Sequence, residues 1–111
     1  MFRCAMVVLP DAFLASVGAM ADSCSLVFER FVHLVGEPGA SVPDMALEVL
    51  SIDGRSVKIG GGVTYRVDRA IDISDQFDFI WLPSFRIGGI DAARQRMASS
   101  QQLVRWLQAQ A

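Results

Sequence analysis

Phe13, Val17, Met20, Cys24, Val27, Phe28, Phe31 and Val35 recur at steps of three and four. That spacing puts them all on one stripe of a helix of about six turns. Asp11 stands where an N-cap belongs, Gly36 where a helix stops, and Pro38 lies just beyond. A helix this long with a single apolar face must lie against a layer. The preceding run, Arg3 to Leu9, supplies one. It is apolar without alternation and ends at Pro10, the pattern of a strand buried on both faces in a parallel sheet.

The rest of the chain continues that alternation. Glu37 to Asp44 reads as a loop, and Met45 to Ile52 as a second strand. Asp53-Gly54 is a strong turn or hairpin signal. Val57 and Ile59 form a short strand, Gly60-Gly61-Gly62 breaks it, and Val63, Tyr65 and Val67 alternate in another. Ile71 and Ile73 fall in a loop. Phe77 to Leu82 reads as a buried strand ended by Pro83, and Ser84 to Gly89 as a loop. Asp91 is a candidate cap for a helix through Met97. Ser99 or Ser100 caps or continues a last helix with Leu103, Val104 and Leu107 on one face. Strands alternating with long helices predict an α/β fold with a mainly parallel sheet. The last helix leads into no further strand, so the sheet is expected to be incomplete at its C-terminus.

Composition narrows the function. With 52% hydrophobic residues in 111, the chain can form a core. Its net charge of -2 lacks the basic excess of a DNA-binding domain. No apolar run approaches the roughly 20 residues of a spanning helix, so no membrane association is expected. Arg3, an apolar run and Ala19-Met20-Ala21 imitate a secretory signal, but Pro10-Asp11 splits the apolar region early. Two cysteines make no disulfide framework, which favours a reducing, cytoplasmic setting.

Little catalytic chemistry is visible. His33 is the single histidine, with Cys4 and Cys24 distant in sequence, so no metal-ligand spacing exists. Neither a metal nor a cofactor is expected, and His33 reads as a helix-terminal or packing residue. Cys24 on the helix stripe and Cys4 in a buried strand read as inert thiols. The triple glycine has no Lys-Ser/Thr and no strand-to-helix context, so it reads as a turn or bulge rather than a phosphate loop. Asp72, Asp75 and Asp78 read as the solvated approach to a strand. Parallel α/β sheets bind ligands beyond the carboxyl ends of their strands. The loops there, Pro10 to Ser16 and Pro83 to Gly89, offer Asp11, Ser16, Ser84, Phe85 and Arg86 as candidate ligand-binding residues, with amides opened by Gly88 and Gly89.

The opening AMVVLPDAFLASVGAMADSCSLV resembles the first strand and helix of PfpI/ThiJ-type, class I glutamine amidotransferase-like domains. More narrowly, it resembles the N-terminal domain of AraC-family transcriptional regulators. The Gly18 to Asp22 stretch, the Ser51-Ile52-Asp53-Gly54 turn, Gly60 to Val67, Asp78 to Pro83 and Leu103-Val104-Arg105-Trp106-Leu107 follow in the family's order. Ser84-Phe85 replaces the usual Gly-Gly after Pro83, and Ser16 and Val17 stand where enzymatic members carry an acid. The resemblance implies a flavodoxin-like three-layer sandwich. Residues 1–111 would form a single PfpI/ThiJ-like domain, its N-terminal portion. The nucleophile elbow and the helix-turn-helix domain would lie outside this chain.

The function implied is ligand sensing and dimerisation within a bacterial AraC-type regulator. The chain would be a homodimer, non-enzymatic, with an unknown small-molecule effector, and would reach DNA only through a domain not present in it. Two alternatives remain open: a small-molecule hydrolase or amidase of the same superfamily, which requires a thiol, and a stand-alone interaction module whose sheet edge a partner completes.

Overall fold

The computed structural model describes residues 2–34 and 45–111, with side chains except those of Ser25 and 27–34. Strand β1 (Phe2–Val7) lies between β2 (Met45–Ser51) and β6 (Phe79–Trp81), parallel to both. β5 (Arg69–Ala70) pairs parallel with the end of β2. The sheet is four-stranded in the order β5-β2-β1-β6. Met6 is in register with Val49 on one side and Trp81 on the other. Two parallel neighbours cannot be joined by a tight turn, and α1 (Leu14–Leu34) makes the crossover from β1 to β2.

Alternation along β1 divides the core. Ala5, Val7 and Leu9 point to one face, where they meet Leu50, Ile71, Leu103 and Trp106. Met6 and Val8 point to the other, against Val17 and Met20 of α1 and Val57 and Ile59. Side chains two apart share a face in a strand, so one buried run serves both layers. Helix α3 (Gln101–Gln110) covers the first face and α1 the second. Burying each such side chain contributes about 1.5–3 kcal/mol. The expected α/β, three-layer, mainly parallel architecture is therefore what forms.

The helix stripe is confirmed where it can be followed. Val17 and Met20 are buried and Cys24 is half-buried. Phe13 precedes the helix and is 49% exposed. Asp11 does not cap it: the residue lies at φ 64, three positions before the first helical residue. Gly36, Pro38 and the loop 37–44 lie outside the described residues, as do the side chains of Val27, Phe28, Phe31 and His33.

Asp53-Gly54 turns the chain after β2, yet β3 (Val57–Lys58) pairs with β4 (Thr64–Tyr65), antiparallel, rather than with β2. Gly60–Gly62 is a single tight turn between β3 and β4, as its sequence predicts. Strand β4 is shorter than the Val63 to Val67 alternation suggests, because Asp68 and Arg69 leave the hairpin to join the main sheet. β5 has no strand signal in the sequence, and Ile71 follows it directly. Its residues Arg69 and Ala70 are held there by register with Leu50 and Ser51.

The carboxyl-terminal helical region splits at Ser100 into α2 (Ile90–Ser99) and α3. Gly89 occupies the N-cap of α2, and Asp91 lies in its first turn. On α3 the buried face is Leu103 and Trp106, while Val104 is 48% exposed. Leu107 packs against the same core, so Leu103 and Leu107 of the expected face hold, Val104 turns outward and the indole of Trp106 joins instead. Among the described residues no helix is long and apolar enough to cross a membrane.

Candidate functional site

The loop after β1 is the junction of the molecule. The left-handed backbone of Asp11 (φ 64) directs its N–H to the Lys58 carbonyl at 3.1 Å and its own carbonyl to the Arg86 N–H at 3.0 Å. Non-glycine residues in this region are strained and cluster at functional positions. Ala12 continues the junction: it bridges Phe85, and its carbonyl accepts the Gly60 N–H at 2.8 Å. The ideal Cβ of any larger residue at 60 would stand 3.3 Å from that carbonyl, which explains a glycine at the contact.

Arg96 of α2 closes the junction from the far side. Its Nη2 donates to the Pro10 carbonyl at 2.7 Å and lies 3.5 Å from Asp11 Oδ2. The guanidinium stacks 4.5 Å from the Phe85 ring centroid, a cation–π contact.

These segments enclose an open cleft of about 1000 Å³ above the carboxyl ends of β1 and β2. Asp11, Asp53, Lys58, Arg86, Gln95 and Arg96 provide much of its polar wall, and Ser51 and Ser56 also line it. Asp53 is occupied by its own turn, accepting the Arg55 N–H at 3.0 Å. Ser51 donates to the Arg55 carbonyl at 2.9 Å. By contrast, the side chains of Lys58 and Arg86 have no hydrogen-bond or ion-pair partner among the described residues.

The candidate residues separate into two groups. Asp11 and Arg86 line the cleft. Ser16 and Ser84 meet each other instead, the Ser84 N–H donating to Ser16 Oγ at 3.0 Å. Ser84 also accepts the Phe13 N–H at 2.8 Å, so this pair ties the loop after β6 to the start of α1. Phe85 lies beneath Arg96 and packs against the core. Gly88 does border the cleft.

Lys58 and Arg96 were not among the candidates. Lys58 has a faint sequence signal: it is the polar residue between inward-facing Val57 and Ile59. Arg96 has none, because its contact with Pro10 spans 86 residues.

No thiol serves the cleft. Cys4 is buried in β1, where burial raises its pKa, reinforced by the Cys24 thiol and Asp78. Burial likewise raises that of Cys24. Both changes disfavour the nucleophilic thiolate. Among the described residues no group of His, Cys, Asp and Glu side chains is placed to hold a metal ion.

No family model matches the chain, and no curated protein matches it. Solved structures do. A protein of Vibrio parahaemolyticus proposed to be a transcriptional regulator superposes with a TM-score of 0.66 at 13% identity, over 98% of this chain and 50% of that one. An AraC family transcriptional regulator of Pseudomonas putida gives 0.55 at 14% identity, over 95% and 61%. DJ-1beta of Drosophila melanogaster lies further off, at 0.43 and 17% identity, over 91% and 50%. The chain thus shares its fold with the two regulators and spans one half to three fifths of their length.

Proposed function

We propose that this chain is the ligand-sensing and dimerising part of a bacterial transcriptional regulator of the AraC type. In this reading residues 1–111 act as one non-enzymatic domain of a cytoplasmic homodimer, and DNA is contacted through a separate domain. The observation that carries the proposal is the cleft: polar groups from separate segments converge beyond the carboxyl ends of parallel strands, the usual ligand position in this architecture. The fold shared with the two regulators supports the same role. Among the described residues, those lining the cleft include neither cysteine nor histidine, which favours binding over covalent chemistry.

A screen of cationic, neutral and anionic metabolites by thermal shift tests it. At a hundredfold excess over Kd a ligand stabilises the fold by about 2.7 kcal/mol. The expected result is at least one such compound that also shifts the amide resonances of Asp11 and Arg86. A screen in which no compound does so overturns the sensing role. Light scattering tests the dimer, and a stable monomer at working concentration counts against it.

A further inference from the structure

The charges of the cleft are unevenly matched. Three bases and two acids line it: Asp11 faces Arg96, while Asp53 accepts the Arg55 backbone N–H and has no cationic partner among the described residues. Arg96 is likewise committed, to Pro10 and Asp11. Lys58 and Arg86 remain without partners among the described residues. Both border the same cleft.

Their placement is not left to flexible loops. The Lys58 carbonyl accepts from Asp11, and the Arg86 N–H donates to Asp11. The backbones of both bases are therefore tied to the same residue. Long side chains that border one cleft can reach a common small molecule. A guanidinium offers a planar fork to a carboxylate or phosphate, and an ammonium adds a point charge.

We infer that the cleft selects a small organic dianion, carrying carboxylate or phosphate groups, held between Lys58 and Arg86. This rests on the sensing role proposed above and specifies its ligand. Asp11 joins the two backbones through its own N–H and carbonyl. Its carboxylate, balanced by Arg96, does not repel the ligand as a bare acid would.

The test titrates the intact 111-residue chain by NMR with succinate and inorganic phosphate. Succinamide serves as the neutral counterpart of succinate and putrescine as a dication. Saturable shifts at the Asp11, Lys58 and Arg86 amides are expected with a dianion and not with succinamide or putrescine. Whichever dianion binds more tightly distinguishes carboxylate from phosphate. Lys58→Gln and Arg86→Gln are each expected to weaken it by about tenfold, the loss of one charge-assisted bond, with unchanged thermal midpoints. Arg86→Lys should recover part of the loss. The inference is overturned if neither dianion binds, if succinamide or putrescine binds as tightly, or if neither Gln variant weakens binding. If the metabolite screen then yields a neutral or cationic ligand, sensing stands and the dianion fails alone. If the screen also yields nothing, both fail.

Discussion

The indole Nε1 of Trp106 donates a 3.1 Å hydrogen bond to Oδ2 of Asp75. This bond ties α3 to the segment between β5 and β6. Arg69 reaches the same carboxylate at 2.9 Å and Glu48 of β2 at 3.2 Å, and Glu48 is shared with Arg3 of β1 at 3.0 Å. Asp75 side-chain exposure is only 8%. The acid expected to be solvated is instead the centre of a partly buried network, because Arg69 in β5 brings it a counter-charge.

Asp75→Ala should destabilise the fold by about 2 kcal/mol, since it leaves the buried indole N–H without an acceptor. For a domain near this size that is a fall of roughly 8 °C in Tm. Trp106→Phe removes the donor together with part of the buried ring. In the Asp75→Ala background it should cost less than it does alone, as coupled residues do. Urea unfolding of the two variants and their double checks both statements.

Acid should weaken the same network. Burial alone would raise the Asp75 pKa, but hydrogen bonds from Arg69, the Asp72 backbone and Trp106 outweigh it and lower the value below the ordinary 3.8. A carboxylate with a lowered folded-state pKa adds stability above its unfolded value and loses it as pH falls through the folded one. The stability gap between the native chain and Asp75→Asn should therefore be constant from neutral pH to about 5, and shrink below 4. A gap independent of pH down to 2 would contradict this.

Gly54 tests the turn after β2. It sits at φ 78, and a Cβ there would stand 3.0 Å from the Ala70 backbone nitrogen in β5. Gly54→Ala should cost about 2 kcal/mol, from the left-handed backbone and the contact together. An effect below 0.5 kcal/mol, roughly the noise of exposed substitutions, would show that β5 yields.

Asp11 separates backbone from charge. Its carboxylate is 72% exposed, and exposed ion pairs contribute about 0–1 kcal/mol. Asp11→Gly frees the left-handed backbone while losing that pair, so stability should stay within about 1 kcal/mol. Asp11→Ile, β-branched at positive φ, should lose about 2 kcal/mol. Equal losses for the two would assign the role to the carboxylate instead.

How legible this was depends on the distance over which each feature is decided. β1, α1, β2 and the glycine turn are local patterns, readable because burial on both faces, a helical stripe and a φ-permissive run each mark the sequence. β5 carries no such mark: Arg69-Ala70 becomes strand only because Leu50 and Ser51 offer an edge. Leu103 and Leu107 on α3 follow from helical periodicity, which does not choose between Val104 and Trp106 as their companion. Only the Asp75 acceptor and the Phe77 ring at 6.1 Å decide for the indole. In the cleft, Asp11 and Arg86 follow from their place after strands. Ser16 and Ser84 have the same place, yet the Ser16 hydroxyl accepts the Ser84 backbone N–H and neither is among the described residues lining the cleft.

Helix α2 borders the cleft without burying any residue of its own. Arg96 fastens it to Pro10 and Phe85, while Leu103 and Trp106 of α3 anchor in the core. The two helices thus belong to different energetic units. Lifting α2 exposes almost no apolar surface, so amide protons along it should exchange through openings that leave α3 protected. Helix α2 is thus the lightly packed side of the cleft, and α3 with the sheet the firmly packed one.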